Sequence, residues 1–138
     1  MHTKHLCRIL ALAAATLLAG CASRDSAPQE STKYTVENTD KFEVLDDGGP
    51  VIYVSCTGLQ EHRLADGRLE VVANIRNREN RALRVQVSCV FRDAQGFSTT
   101  DETAFQTVKL APSATEVLNF RSTNALAQKY TIRLREAK

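Results

Sequence analysis

From Phe42 onward, apolar and polar side chains alternate with a period of two rather than 3.6, the pattern of half-buried β-strands. Phe42 to Leu45 reads as a short strand closed by Asp46-Asp47-Gly48-Gly49-Pro50, a turn cluster. Val51 to Thr57 alternates so that Ile52, Val54 and Cys56 share one face, and Leu59 to Leu64 continues it or forms a separate strand. Ala65-Asp66-Gly67 is hairpin chemistry, since Asp-Gly supplies the positive φ of a tight turn. Arg68 to Asn77 places Leu69, Val71, Ala73 and Ile75 inward and Glu70, Asn74 and Arg76 outward. Leu83 to Arg92 is the clearest strand. Leu83, Val85, Val87, Cys89 and Phe91 face one way, and Arg84, Gln86, Ser88 and Arg92 the other. Asp93-Ala94-Gln95-Gly96 turns the chain. Ala104 to Leu110 and Thr115 to Arg121 follow, the second with Val117 expected inside beside Leu118 or Phe120. Ser122 to Gln128 is irregular, and Tyr130, Ile132 and Leu134 alternate with Thr131, Arg133 and Arg135 in a closing strand. About seven short strands separated by turn signals predict an all-β fold. The expected architecture is an antiparallel immunoglobulin-like or fibronectin-III-like sandwich over residues 41–138. A small open barrel is the alternative.

The first forty residues read differently. Lys4 and Arg8 flank a short cationic start, and Ile9 to Leu18 is an apolar run of ten residues. A spanning helix needs roughly twenty, so residues 1–20 read as a secretory signal peptide. Leu18, Ala19, Gly20 and Cys21 resemble the bacterial lipobox. That resemblance implies a diacylglyceryl thioether on Cys21, cleavage before it and acylation of the new amine. Each buried lipid methylene contributes about 0.8 kcal/mol, so two or three chains hold firmly. Ala22, rather than Asp, follows the cysteine, which by the same resemblance directs the protein to the outer membrane, facing the periplasm. Residues 21–40 are then the lipidated N-terminus and a flexible tether, small and polar through Thr32 and only weakly patterned to Asp40.

Removing the signal changes the charge. The 138-residue chain carries 18 basic and 16 acidic side chains. Without Lys4 and Arg8 the balance is 16 to 16, so net charge gives no argument for nucleic-acid binding. Of four cysteines, Cys7 leaves with the signal and Cys21 takes lipid. Cys56 and Cys89 remain in an oxidising compartment. Each shares a face with core residues, so one intramolecular disulfide is expected, closing a loop of roughly thirty residues and contributing about 3 to 4 kcal/mol. Two buried free thiols acting as small apolar fillers are the alternative.

Candidate chemistry is sparse. His62 is the one histidine beyond the signal. The sequence holds no zinc-protease, C-x-x-C, nucleophile-elbow or phosphate-loop motif. No metal, no cofactor and no catalytic residues are expected, and Asp46-Asp47-Gly48-Gly49 reads as a turn rather than a calcium loop. The string NIRNRENRALR gathers Arg76, Arg78, Arg81 and Arg84, with Arg92 on the outward parity of Arg84. It reads as a basic patch for anionic headgroups or an acidic partner. A solvated face interleaved with Glu79 is the alternative.

The stretch VQVSCVFRDAQGF, followed by TVKLAPSATEVLNFRS and the closing YTIRLRE, resembles the YcfL family of small Gram-negative lipoproteins, with Asp93 and Gly96 at the positions of its Asp-x-x-Gly turn. The resemblance spans roughly Leu69 to Leu134 plus the lipobox. Where that family often has Trp and Tyr this chain has Phe91 and Arg92. The resemblance implies a lipid-anchored periplasmic domain and no particular activity. The expected function is a non-catalytic envelope module that binds a protein partner, in one form by lending a sheet edge. The alternative is a binder of a lipid, glycan or cell-wall fragment.

Overall fold

The computed structural model describes residues 31–36, 41–45 and 50–138. The signal peptide, the lipobox and the Asp46–Gly49 turn lie outside them.

Among the described residues nine strands form two sheets. The strands are β1 (Ser31–Val36), β2 (Phe42–Val44), β3 (Val54–Arg63), β4 (Leu69–Asn77), β5 (Leu83–Arg92), β6 (Ser98–Glu102), β7 (Gln106–Leu110), β8 (Thr115–Arg121) and β9 (Lys129–Glu136). The first sheet runs β1-β3-β4-β8, and the second β2-β9-β5-β6. β7 continues along the edge of β5 that β6 begins: β6 faces Val90 and Arg92, β7 faces Leu83 to Val87. All pairings are antiparallel except β2 with β9, which is parallel. The all-β sandwich expected from the sequence is the fold, with more strands than anticipated.

The long alternating runs fold as their periodicity dictates. Val71, Ala73 and Ile75 of β4 meet Val85, Val87 and Phe91 of β5 and Ile132 and Leu134 of β9, all fully buried. Burying each large aliphatic or aromatic chain stabilises by roughly 1.5 to 3 kcal/mol. Gly67 (φ 84) and Gly96 (φ 95) occupy the two turns whose Asp-Gly and Asp-x-x-Gly signals demanded positive φ.

Four expectations are corrected. First, Pro50–Tyr53 is a 3-10 turn, not strand. Its period of three turns Val51 and Val54 inward and leaves Ile52 61% exposed. Second, Val117 is 64% exposed. Pairing with β4 sets the parity of β8: Phe120 sits opposite inward Val71, and Val117 opposite outward Asn74. Third, β6 (STTDE) has no apolar alternation and went unrecognised; its buried residue is Asp101. Fourth, β1 lies inside the stretch expected as tether. STKYTV is rich in strand formers, and β3 supplies the partner, Ser31 opposite Arg63 through Val36 opposite Gly58.

The sandwich has two ends. One gathers the start of β1, the β3–β4 hairpin, the β5–β6 turn at 93–97 and the β8–β9 connection at 122–128. The other gathers the 3-10 turn, the β4–β5 connection at 78–82, the β7–β8 connection at 111–114 and the end of β9. Each is tied across the sheets by one polar side chain. At the first, Arg63 Nη1 donates to Gly67 O (3.0 Å) and Ala127 O (2.6 Å). At the second, Asn77 is fully buried. Its Nδ2 donates to Arg81 O (2.8 Å) and Ala111 O (2.9 Å), and its Oδ1 accepts from Glu79 N–H (2.9 Å).

Asn77→Ala strands those carbonyls and one amide in the interior and is expected to cost about 2 to 3 kcal/mol, since each buried group left unpaired costs about 1 to 3. Asn77→Asp, which removes the donors and sets a carboxylate against carbonyls, costs at least as much. Urea titration of the two variants against the parent measures both.

Candidate functional site

The five arginines grouped by sequence divide between the outer face of the second sheet and the Asn77 end of the sandwich. Arg84 and Arg92 lie on the outer face of the second sheet, where the register adds Lys109 opposite Arg84, Lys129 opposite Arg92, and Arg133 and Arg135 on β9. Sequence reasoning missed this six-cation face because its members come from three strands far apart in the chain. Three of the six are held by neighbouring side chains. Arg133 reaches Glu102 (3.0 Å) and Glu43 (4.0 Å). Arg135 donates to Gln86 Oε1 (2.8 Å) and stacks over Phe105 (3.8 Å to the centroid). Arg92 donates to Thr131 Oγ1 (2.6 Å).

Arg76, Arg78 and Arg81 sit at the Asn77 end. Arg76 projects from the outer face of β4 between Ser55 and Thr115. Arg78 is held by two bonds, its N–H to Tyr53 O (2.9 Å) and its Nε to Ser55 Oγ (2.9 Å). Arg81 lies 3.6 Å from Glu79. Thr57, Arg76, Asn77, Arg78 and Ser113 line a cavity of about 320 Å³. Ser113 takes a left-handed φ of 58° there, a conformation uncommon outside glycine, held by its N–H donating to Glu79 O (3.0 Å). Ile52 and Tyr53 stand exposed on the 3-10 turn, whose Tyr53 O accepts from Arg78 N–H. Two guanidiniums and the Thr57 and Ser113 hydroxyls thus line one cavity, joined to that turn by the Arg78 N–H bond. Only the arginines were legible in the sequence; Tyr53 and Ile52 required the strand-to-turn correction. A second cavity of about 280 Å³ at the same end is lined by Gln86, Arg135, Glu136 and Lys138.

The titratable groups elsewhere are locked. His62 Nδ1 lies 3.7 Å from Glu70, whose other oxygen takes Arg121 at 2.6 Å. Arg121 is the main cause holding the Glu70 carboxyl below its ordinary range, with Asn119 and His62 adding to it. Lys41 pairs with Glu61 and lies 4.8 Å from the Tyr130 ring centroid, and Tyr130 OH donates to Glu61 (3.1 Å). Burial, then the Glu61 charge, pushes the Tyr130 phenol up. Residues 41, 61 and 130 carry no common sequence signal, so this cluster is a product of the fold alone.

The expected disulfide is absent. Cys56 and Cys89 are both buried and free. They sit in opposite sheets, and Cys56 Sγ turns back to Gly58 O (3.5 Å) at the bulge in β3. Both thiols and the Tyr130 ring belong to the same buried core cluster. Burial raises both thiol pKa values; at Cys89 the charges of Asp101 and Glu102 raise it further. The thiols are the apolar fillers of the alternative reading. Among the described residues no group of three metal-ligating side chains comes together.

Residues 52–136 match the family model described as protein of unknown function, DUF1425. The chain belongs to this family. Its fold is similar to the crystal structure of a family member from Shewanella sp. pv-4, at 23% identity and a TM-score of 0.55, over 62% of this chain and 79% of that one. It is also similar to Campylobacter jejuni cj0090, at 14% identity and a TM-score of 0.56, over 70% of this chain and 98% of that one. No curated protein matches the chain.

Two measurements check the site's chemistry. Alkylation followed by peptide mapping should label Cys56 and Cys89 only after denaturation, and both as free thiols. Arg121→Gln should lower stability at neutral pH by about 0.2 to 1 kcal/mol, the range for partly exposed pairs. Glu70 has a depressed folded pKa. Its contribution is therefore present above the ordinary glutamate range and lost as pH falls through the folded value. The melting-temperature gap between parent and variant should close in acid.

Proposed function

We propose that this DUF1425 protein is a lipid-anchored periplasmic interaction module of the YcfL type. In this reading its Arg76–Arg78 end engages an acidic segment of an envelope protein. The carrying observation is that Arg76 and Arg78 line one cavity, and that Arg78 N–H bonds to the 3-10 turn on which Tyr53 and Ile52 stand exposed. Arginine forks match carboxylates bidentately, and Arg and Tyr dominate the energetics of protein interfaces. Both cavities at this end are lined by polar and charged side chains, which supports a polar anionic partner over an apolar ligand. A non-catalytic role is supported by thiols that burial keeps protonated and by a histidine engaged with Glu70. The anchor is supported by Leu18, Ala19, Gly20 and Cys21 after a short apolar run. Ala22 supports the outer membrane as its destination.

A photo-crosslinking amino acid placed at Ile52 in the full-length protein in whole cells should give a discrete adduct. Arg76→Gln with Arg78→Gln should reduce it about tenfold, equivalent to ~1.4 kcal/mol. Palmitate labelling should vanish in Cys21→Ala. An adduct indifferent to the arginines refutes the site, and label persisting without Cys21 refutes the anchor.

A further inference from the structure

At the opposite end, two large apolar side chains stand in solvent. Phe97 is 72% exposed on the β5–β6 turn, and Leu126 is 65% exposed on the β8–β9 connection. They belong to adjoining loops. Gln128 N–H donates to Arg92 O (2.8 Å), and Asp93 N–H to Phe97 O (2.9 Å). Both loops are held from within. Phe97 N–H donates to Asp93 Oδ1 (2.8 Å), and Leu126 N–H to Asn124 Oδ1 (2.8 Å). Thr123 N–H donates to the buried Asp101 (2.7 Å), and Arg63 grips Ala127 O. These are fixed protrusions on a braced end. Arg92 and Lys129, paired across β5 and β9, flank them with positive charge.

This is also the end from which the chain leaves toward Cys21. Ser31 pairs with Arg63, beside the β3–β4 hairpin. Ser31 lies ten positions beyond Cys21, and a chain spans at most about 3.6 Å per residue step, or about 36 Å in all. A lipid on Cys21 therefore holds the Phe97–Leu126 end within one domain length of the bilayer. The Arg76–Arg78 end lies a β-strand further from Ser31.

We infer that Phe97 and Leu126 form a membrane-docking tip that inserts into the interfacial layer of the leaflet holding the anchor. Lys129 and Arg92 lie against its anionic phosphates. Aromatic and aliphatic side chains flanked by cations suit that layer, where apolar bodies enter and charges stay among headgroups. A single acyl chain binds only marginally and gains from a second contact. With three acyl chains the tip instead sets orientation, holding the Arg76–Arg78 end outward into the periplasm. The inference rests on the anchored reading above.

The absence of tryptophan from the chain supplies the test. Phe97→Trp, and separately Val117→Trp on the side of the sandwich, each gives a protein with a sole tryptophan. Lipidated full-length protein is reconstituted into vesicles of phosphatidylethanolamine and phosphatidylglycerol containing nitroxide-labelled lipid. The emission of Phe97→Trp should shift to the blue and be quenched at least about twofold more than that of Val117→Trp, as interfacial insertion requires. Leu126→Trp should behave as Phe97→Trp does and stands in if that variant folds poorly. Flotation with the vesicles but equal quenching at the three positions overturns the docking and leaves the anchor intact. Failure to float overturns the anchor and the docking with it. A blue shift that grows with protein concentration in detergent, without lipid, assigns the tip to a second copy of the chain and overturns the membrane as its occupant.

Discussion

The buried amide of Asn77 is the constraint on which the rest of the structure leans. A sandwich presses two apolar faces together, and its connections must cross from one sheet to the other at the ends, where backbone groups lose their ladder partners. Asn77 meets that need where β4 ends. It donates to Arg81 O and Ala111 O and accepts from Glu79 N–H, while its own N–H donates to Ala114 O. An asparagine offers both donors and an acceptor in one short side chain, and few other residues would satisfy two connections at once from a fully buried position. Arg63 plays the matching role at the other end with backbone carbonyls from two loops. With both ends braced, the loops between them become platforms. One displays Arg78 and Tyr53, the other Phe97 and Leu126.

Burial and pairing explain why so many titratable groups leave so little chemistry. A thiol or phenol taken into the core keeps its proton, because the charged form loses more hydration than the neutral one. Cys56, Cys89 and Tyr130 all shift in that direction. Surface carboxylates go the other way when an arginine sits against them, as Glu70 does under Arg121. On the outer face of the second sheet the cations are numerous, yet Glu43, Glu102, Gln86, Thr131 and the Phe105 ring engage them. Charge count alone would have placed the binding surface there. At the Asn77 end, Arg76 and Arg78 instead line a cavity together with Thr57 and Ser113. The two ends therefore differ: one holds a cavity lined by Arg76 and Arg78, with Ile52 and Tyr53 exposed on the 3-10 turn, and the other carries Phe97 and Leu126 on braced loops.

The strands that could be read from sequence are those whose pattern is set by their own burial. β4 and β9, and β5 over its first half, alternate because one face meets the core and the other is more open, and a one-residue slip would expose the apolar side chains. The glycine turns were legible for an equally local reason, since positive φ leaves few choices of residue. β6 was not, because its single buried side chain is an aspartate; β1 was not, because nothing in STKYTV says that β3 offers it an edge. Ile52 and Val117 were misplaced for want of a local cue: a 3-10 turn and an edge strand's parity are decided by the neighbour.

Local pattern, then, determined the fold class, the principal strands and the lipobox reading, since each depends on residues close together in the chain. Tertiary structure alone decided what depends on pairs far apart. The sheets are brought together by burial, and only then does Cys56 turn toward Gly58 rather than Cys89. Only then does the arginine cluster divide between two faces. Glu61 likewise meets Lys41 and Tyr130, and the start of β1 comes to the same end as Phe97 and Leu126. Side-chain spacing along one strand encodes which face is wet. It carries no record of which strand lies opposite, because that is settled by the shared cost of leaving apolar faces and backbone groups without partners.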